Sequence, residues 1–207
     1  MMFFTAILLA AAPVIELYPA PQKMDIERRG VFTVTRVTPV VLADATSDAE
    51  VSALDVLFEA LGFELSVYGA REKQNAPGIY IGEPGRHAGL TSRQGAFMAK
   101  TTLPTPPPGG YRLTVKKDRI TVLGGDPAGT FQGVQTLAAL AAPSRDLPFL
   151  DIADHPDFAW RGVCLNKPPT KEHLNQLAAQ HCNLVVFDSL DFYALAGDAA
   201  KVWRHTF

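Results

Sequence analysis

The chain has 207 residues, 47% of them hydrophobic and 19% charged, which supports a packed core and excludes an intrinsically disordered protein. The 19 basic and 21 acidic residues leave a net charge of −2, so no overall positive field attracts nucleic acid or an anionic membrane. Two cysteines are too few for a disulfide-stapled scaffold, and the length allows one domain and part of another.

The first twelve residues, MMFFTAILLAAA, form an apolar segment that ends in three alanines. It is shorter than the roughly 20 residues that a membrane helix needs. Small residues at its end suit signal-peptidase cleavage, so residues 1–12 are predicted to be a signal peptide. The mature protein is then expected to be exported, to the periplasm or the extracellular space, without a membrane segment.

Strand and helix patterns alternate over the next seventy or so residues. A helix is predicted from Ser47, because Ser47 and Glu50 have capping-box spacing and apolar residues then recur at helical intervals. Gly62 is placed to end that helix in a left-handed conformation. Four short segments have the alternating or β-branched character of strands: residues 31–36, 40–43, 63–68 and 78–82.

A proline-rich loop, residues 101–110, precedes a predicted hairpin with strands at 111–115 and 119–123. Asp126 is a good N-cap and Pro127 a good first residue for the helix that follows. Residues 143–148 have the composition of a linker.

The glycine-rich turn GGDPAG at residues 124–129 lies between a strand and a helix, which is where phosphate cradles occur. It matches neither GxGxxG nor a GK[ST] ending, and Asp126 would repel a phosphate. A structural turn is therefore predicted. The sequence also lacks HExxH and CxxC spacing, so we predict no metal site and no cofactor.

The last part of the chain has the pattern strand, helix, strand, at residues 158–165, 170–181 and 183–188. This is one βαβ unit, and roughly fifty residues are too few for a closed α/β domain. Cys164 and Cys182 would lie at opposite ends of the two strands, so both are expected to be buried free thiols. Asp188 follows the second strand, at the end where barrels carry active sites, although a solvated loop also explains it.

Three stretches resemble the N-terminal region of family 20 glycoside hydrolases, the β-N-acetylhexosaminidase-like enzymes. The most specific, RITVLGGDPAGTFQGVQTLAAL at residues 119–140, is similar to a strand, "G-x-D-x-x-G", aromatic, "G-x-Q-T-L" pattern of the family. The others are LYPAPQ at 17–22, and a run at 147–162 that contains IADHP and FAWRG. In the family such a run leads from an accessory domain into the first strand of a (β/α)₈ barrel.

The resemblance implies an α+β, zincin-like accessory domain at residues 13–150, with a mostly antiparallel sheet and helices on one face. Residues 151–207 would begin a TIM barrel that this chain does not complete. The family's catalytic pair is an adjacent Asp-Glu late in the barrel, where Glu is the acid and Asp orients the substrate's 2-acetamido group. The pair lies in a part of the barrel that this chain does not reach, so the 207 residues alone are predicted to be inactive.

The implied function is that of the N-terminal portion of a glycosidase acting on N-acetylhexosaminides, with carbohydrate as its partner. VVFDS at residues 185–189 departs from the His and Asp usual there, which leaves a noncatalytic carbohydrate-binding or interaction module as an alternative. An α-glucuronidase-like enzyme is a second family candidate.

Arg161 and Asp188 are the candidate sugar-binding residues. The resemblance implies that the guanidinium of Arg161 bonds sugar hydroxyls, for which its planar fork is suited. The alternative for Arg161 is an ion pair with Asp154 or Asp157, or an extended side chain that reaches solvent.

Overall fold

The computed structural model describes residues 15–42, 46–70, 72, 77–83 and 105–187. The α+β class predicted from the sequence is confirmed. The elements follow in the order β1 Lys23–Thr33, β2 Val40–Leu42, α1 Asp48–Leu61, β3 Val67–Gly69, β4 Gly78–Gly82, β5 Tyr111–Lys116, β6 Arg119–Gly124, α2 Pro127–Ala141, β7 Asp146–Asp154, β8 Gly162–Leu165, α3 Lys171–Ala179 and β9 Leu184–Phe187.

Seven strands of the described chain form one mixed sheet in the order β1-β7-β5-β6-β4-β2-β3. The half from β1 to β6 is antiparallel, and the half from β6 to β3 is parallel. The predicted mostly antiparallel sheet is therefore wrong for the second half. The physical reason is that α1 crosses over between β2 and β3, and a helical crossover returns the chain in the same direction.

Helix α1 begins and ends as its sequence predicts. The backbone N–H of Ser47 donates to Glu50 Oε2 at 2.6 Å, and the N–H of Glu50 donates to Ser47 Oγ at 3.3 Å, which is a complete capping box. Gly62 closes the helix with a φ of 73°. A side chain there would be strained, so glycine is the residue that ends the helix at least cost.

Both long helices cover the same face of the sheet, as predicted. Leu57 of α1, Val134 of α2 and Ile79 of β4 belong to one buried cluster that continues across the sheet. Tyr80 points to the opposite face, where it packs with Val41. The alternation along β4 thus divides the helix-covered core from the second face.

Strand β7 was not predicted. The linker expected at residues 143–148 is wrong, because Asp146–Asp154 lie in the sheet between β1 and β5. Pro148 has no N–H to donate to a neighbouring strand, but the sheet tolerates it at this position. It pairs with Val31 beside an irregularity in β1, and it lies beyond the residues of β7 that pair with β5. The domain boundary expected at residue 150 falls inside this strand.

The C-terminal elements form the predicted βαβ unit, with β8 and β9 paired in parallel. The first strand is shorter than expected, since Phe158 and Trp160 precede it and are 72% and 69% exposed. Both thiols are free, as expected. Their expected burial is wrong, because Cys164 is exposed and Cys182 is half-buried. Within the described residues, no helix is long and apolar enough to cross a membrane.

Helix α3 docks the βαβ unit on the rest of the fold. Its residues Leu177 and Ala178 are buried, and Ala178 joins the core cluster that contains α2. The polar residues Gln132, Gln135 and Thr136 of α2 are buried as well. The seven-stranded sheet and the βαβ unit therefore share one core. Their polar groups meet near α3, where β5 begins and β7 ends.

Candidate functional site

The polar residues at this meeting point form a junction cluster, which we define as Gln22, Tyr111, Asp154, Arg161 and His181. Tyr111 and Asp154 are register partners at adjacent ends of β5 and β7. Tyr111 is only 2% exposed, and its hydroxyl lies 2.7 Å from Thr136 Oγ1. Burial raises the pKa of the phenol, so Tyr111 is a neutral hydrogen-bonding group here.

His181 brings the βαβ unit into the cluster. It lies just beyond α3 with a φ of 61°, a left-handed conformation that non-glycine residues seldom adopt. Its Nδ1 is 4.0 Å from Asp154 Oδ2, and its ring meets the ring of Tyr111 edge-on at 6.5 Å. Burial lowers the pKa of His181, against the attraction of Asp154 and together with the repulsion of Arg161.

Arg161 is held by backbone carbonyls. Its Nε donates to the His181 oxygen at 2.8 Å, and its Nη1 donates to the Phe158 oxygen at 2.7 Å. Asn183 fixes the same segment, since its Oδ1 accepts from the Arg161 N–H at 2.9 Å and its Nδ2 donates to the Ala159 oxygen at 2.8 Å. Among the described residues, the side-chain hydrogen bonds of Arg161 use Nε and Nη1, which leaves Nη2 to donate to a ligand.

Gln22, just before β1, hydrogen-bonds the end of β7 and the segment that follows it. Its backbone N–H donates to Asp154 Oδ1 at 3.2 Å. Its Nε2 donates to the His155 oxygen at 3.2 Å and to Asp157 Oδ1 at 2.8 Å. Gln22 therefore engages one oxygen of the Asp154 carboxylate and one of the Asp157 carboxylate.

A cavity of about 170 Å³ lies inside the junction cluster and is also lined by Gln132. The side-chain oxygen Oε1 of Gln132 is buried without a hydrogen-bond partner in the described structure. The walls combine one guanidinium, two carboxylates and amide, phenol and imidazole groups. Such a lining suits a polar ligand that both donates and accepts hydrogen bonds, such as a hydroxyl group.

The predicted site residues have different outcomes. The expected alternative for Arg161, an ion pair with Asp154 or Asp157, is not the arrangement found, because the guanidinium donates to carbonyl oxygens instead. Its sugar contact stays a prediction, and Asp188 lies outside the described residues. Tyr111 and His181 were not predicted as site residues. Their sequence signal is limited to their positions, since Tyr111 starts a strand and His181 follows a helix.

The glycine-rich turn is structural, as predicted. Asp126 Oδ1 accepts the N–H of Gly129 at 2.7 Å, which makes the N-cap of α2. Its Oδ2 accepts the N–H of Gly109 at 2.8 Å. Both carboxylate oxygens are therefore engaged, and their negative charge lies where a phosphate would have to bind.

A second cavity, of about 640 Å³, lies near the last turns of α1 and α2. Arg36 and Arg145 both lie over the ring of Phe63, each with its guanidinium carbon 4.8 Å from the ring centre. The carboxyl ends of two helices carry partial negative charge. The two arginines therefore neutralise that charge and do not make the cavity strongly positive. This cavity is consequently a weaker candidate site than the junction cluster.

A family model described as glycosyl hydrolase family 20, domain 2, matches residues 14–155, which include all seven strands of the mixed sheet and helices α1 and α2. The chain belongs to this family. The match ends one residue after β7, so the βαβ unit lies beyond it. The family domain therefore supplies Tyr111 and Asp154 to the junction cluster, whereas Arg161 and His181 come from the segment that follows.

Three solved structures have the same fold as this chain. A protein called CpGH84D is 20% identical with a TM-score of 0.71, over 87% of this chain and 31% of its own. A β-N-acetylhexosaminidase from Bacteroides fragilis is 19% identical with a TM-score of 0.61, over 83% and 32%. A Streptomyces plicatus β-hexosaminidase mutant with the product GlcNAc is 21% identical with a TM-score of 0.58, over 83% and 34%. This chain thus spans about a third of each.

Proposed function

We propose that the chain is the N-terminal portion of an exported glycoside hydrolase that acts on N-acetylhexosaminides. In this proposal a zincin-like accessory domain is followed by the first βαβ unit of a (β/α)₈ barrel, and residues 1–12 are a signal peptide. The observation that carries it is the parallel β8-α3-β9 unit, which follows the family domain directly and shares its core. The B. fragilis and S. plicatus relatives support the substrate class by their names.

The exposure of the βαβ unit supports a longer structure around it. Parallel strands are normally covered on both faces and flanked by further strands. Val186 of β9 is 45% exposed and Cys164 of β8 is exposed. Burial of apolar side chains stabilises a parallel strand pair, so we expect additional barrel strands to cover this surface.

Arg161 is the proposed sugar-binding residue within the described chain, and Asp188, outside the described residues, is proposed as a second. The guanidinium is fixed by two carbonyls through Nε and Nη1, which leaves Nη2 as a positioned donor for a sugar hydroxyl. The sequence contains no adjacent Asp-Glu pair, so the acid and the orienting carboxylate would come from a later part of the barrel. Without them the barrier to hydrolysis stays near its value in solution, and the 207-residue chain should be inactive.

Two measurements test this proposal. The genomic sequence downstream of residue 207 should continue as an open frame of several hundred codons with an adjacent Asp-Glu pair, and an immediate stop codon would contradict it. The protein from that longer frame should hydrolyse an aryl 2-acetamido-glycoside, whereas the 207-residue chain should not exceed a buffer blank. Turnover by the short chain would refute the assignment of the catalytic pair.

The role of Arg161 has its own test in the longer protein. Arg161→Lys should weaken binding of N-acetylglucosamine by about tenfold, because lysine lacks the rigid planar fork that holds two carbonyls and directs a further donor at the sugar. Arg29→Lys, an exposed change in β1, is the matched control and should leave binding unchanged. Equal affinity in the Arg161→Lys variant and the wild type would assign Arg161 a purely structural role.

A noncatalytic carbohydrate-binding module is the second candidate, and one observation favours it. Phe158 and Trp160 are exposed on a backbone whose carbonyls at 158 and 159 are both hydrogen-bonded. A rigid segment with two exposed aromatic rings loses little entropy when a ligand packs on it. If the 207-residue chain binds chito-oligosaccharides and Trp160→Ala abolishes that binding, this candidate is favoured. The α-glucuronidase-like alternative has no comparable observation in its favour.

A further inference from the structure

We propose that His181 is a positioning residue that couples the accessory domain to the guanidinium of Arg161. The inference rests on the proposed function, in which Arg161 contacts the sugar. It extends that function by assigning the orientation of Arg161 to residues of the accessory sheet, which the βαβ unit alone does not contain.

The first link is the backbone of His181. Its carbonyl oxygen accepts the Arg161 Nε–H at 2.8 Å, and its own N–H donates to the Ala178 oxygen at 2.9 Å. The carbonyl reaches Arg161 because His181 adopts a φ of 61°. A histidine pays for this conformation with steric strain, so other contacts must hold the residue there.

The second link is the imidazole ring, which two residues of the accessory sheet contact. Asp154 Oδ2 lies 4.0 Å from Nδ1, and the ring of Tyr111 meets the imidazole edge-on with an interplanar angle of 83°. These two residues are themselves fixed by hydrogen bonds. Asp154 Oδ1 accepts from the Gln22 N–H, and the Tyr111 hydroxyl is hydrogen-bonded to Thr136 Oγ1. The ring is therefore held from β5 and β7, and its anchoring maintains the left-handed backbone.

The charged and titratable groups that face His181 are Asp154 from β7, Tyr111 from β5 and Arg161 from the segment before β8. Asp154 attracts a protonated imidazole and Arg161 repels it. A neutral ring suits both neighbours, because it places no second cation beside the guanidinium while its Nδ1 lies 4.0 Å from the carboxylate. The arrangement thus suits a fixed orienting role rather than proton transfer.

The test follows the Arg161 Nε–H resonance in the 207-residue chain by NMR. In the wild type this proton should exchange slowly with water, because it is hydrogen-bonded inside the junction cluster. His181→Gly permits the same backbone conformation but removes the ring, so the Nε–H should exchange at least about tenfold faster while the amide spectrum of the sheet is retained. His173→Gly, a change in α3 outside the junction cluster, is the control and should not alter the exchange.

Asp154→Asn provides a second variant in case His181→Gly alters the fold. It keeps the size of the side chain and weakens the attraction to the ring, so a smaller acceleration of Nε–H exchange is expected. Unchanged exchange in both variants, with a native sheet, would overturn the positioning role. Faster exchange in a protein whose longer form binds no N-acetylglucosamine would uphold that role and reject the proposed function instead.

Discussion

Arg145 donates a hydrogen bond from Nη2 to the carbonyl oxygen of Leu61 at 3.0 Å, across 84 residues of sequence. The contact caps the last turn of α1 with a cation from the loop that follows α2. The same guanidinium lies over the ring of Phe63. The loop after one helix therefore stabilises the end of the other, where the carbonyl groups lack partners of their own.

Replacing this cap should cost stability. Arg145→Ala is expected to lower the free energy of unfolding by about 1–2 kcal/mol, because it removes a charge-assisted hydrogen bond and a cation–π contact. Urea denaturation measures the loss. Arg36→Ala removes only a cation–π contact with Phe63, so it should cost about 0.5 kcal/mol. Equal losses in the two variants would contradict the capping role.

Asp126 should stabilise the protein through both of its oxygens. Asp126→Ala removes the N-cap of α2 and the bond to Gly109, and we expect a loss of about 1–2 kcal/mol in thermal unfolding. Asp126→Asn keeps one carbonyl acceptor for the cap, so it should lose less. If Asp126→Asn and Asp126→Ala destabilise the protein equally, the hydrogen bond to Gly109 contributes more to stability than the N-cap does.

Gly129 tests the close approach of α2 to the segment before β5. A Cβ atom at Gly129 would collide with the backbone oxygen of Gly110, which cannot move without displacing β5. Gly129→Ala should therefore destabilise the fold by about 2–3 kcal/mol. Gly62→Ala, where the added Cβ meets nothing within 4 Å, should cost only about 1 kcal/mol for its left-handed φ.

His181 should make stability depend on pH. Because its pKa is lowered in the folded chain, the unfolded state binds the proton more readily. The contribution of neutral His181 is thus complete above about pH 6.5, the ordinary histidine value, and is lost as the pH falls towards the folded pKa. His181→Asn should flatten this part of a plot of unfolding free energy against pH. The same slope in wild type and variant would assign the dependence to other groups.

Local elements could be predicted from sequence because their signals lie within a few residues. The capping box of Ser47 and Glu50 and the left-handed Gly62 fix α1 in this way. Strand β7 could not be predicted, since Pro148 resembles a linker residue until Val31 is known to pair with it. Arg161 was named from the sequence, but Tyr111 and His181 were missed for the same reason, because they meet only after the sheet and α3 have assembled.

The position of β1 at the edge of the sheet has a consequence for synthesis on the ribosome. Its only neighbour in the described sheet is β7, and the side chains of Thr33 and Asp146, which bond across the pair, are 113 residues apart. At about 5–20 residues per second, β1 emerges roughly 6–23 seconds before its partner strand begins to be made. During that interval its apolar side chains have no sheet to join, so the nascent chain must stay unaggregated until β7 is translated.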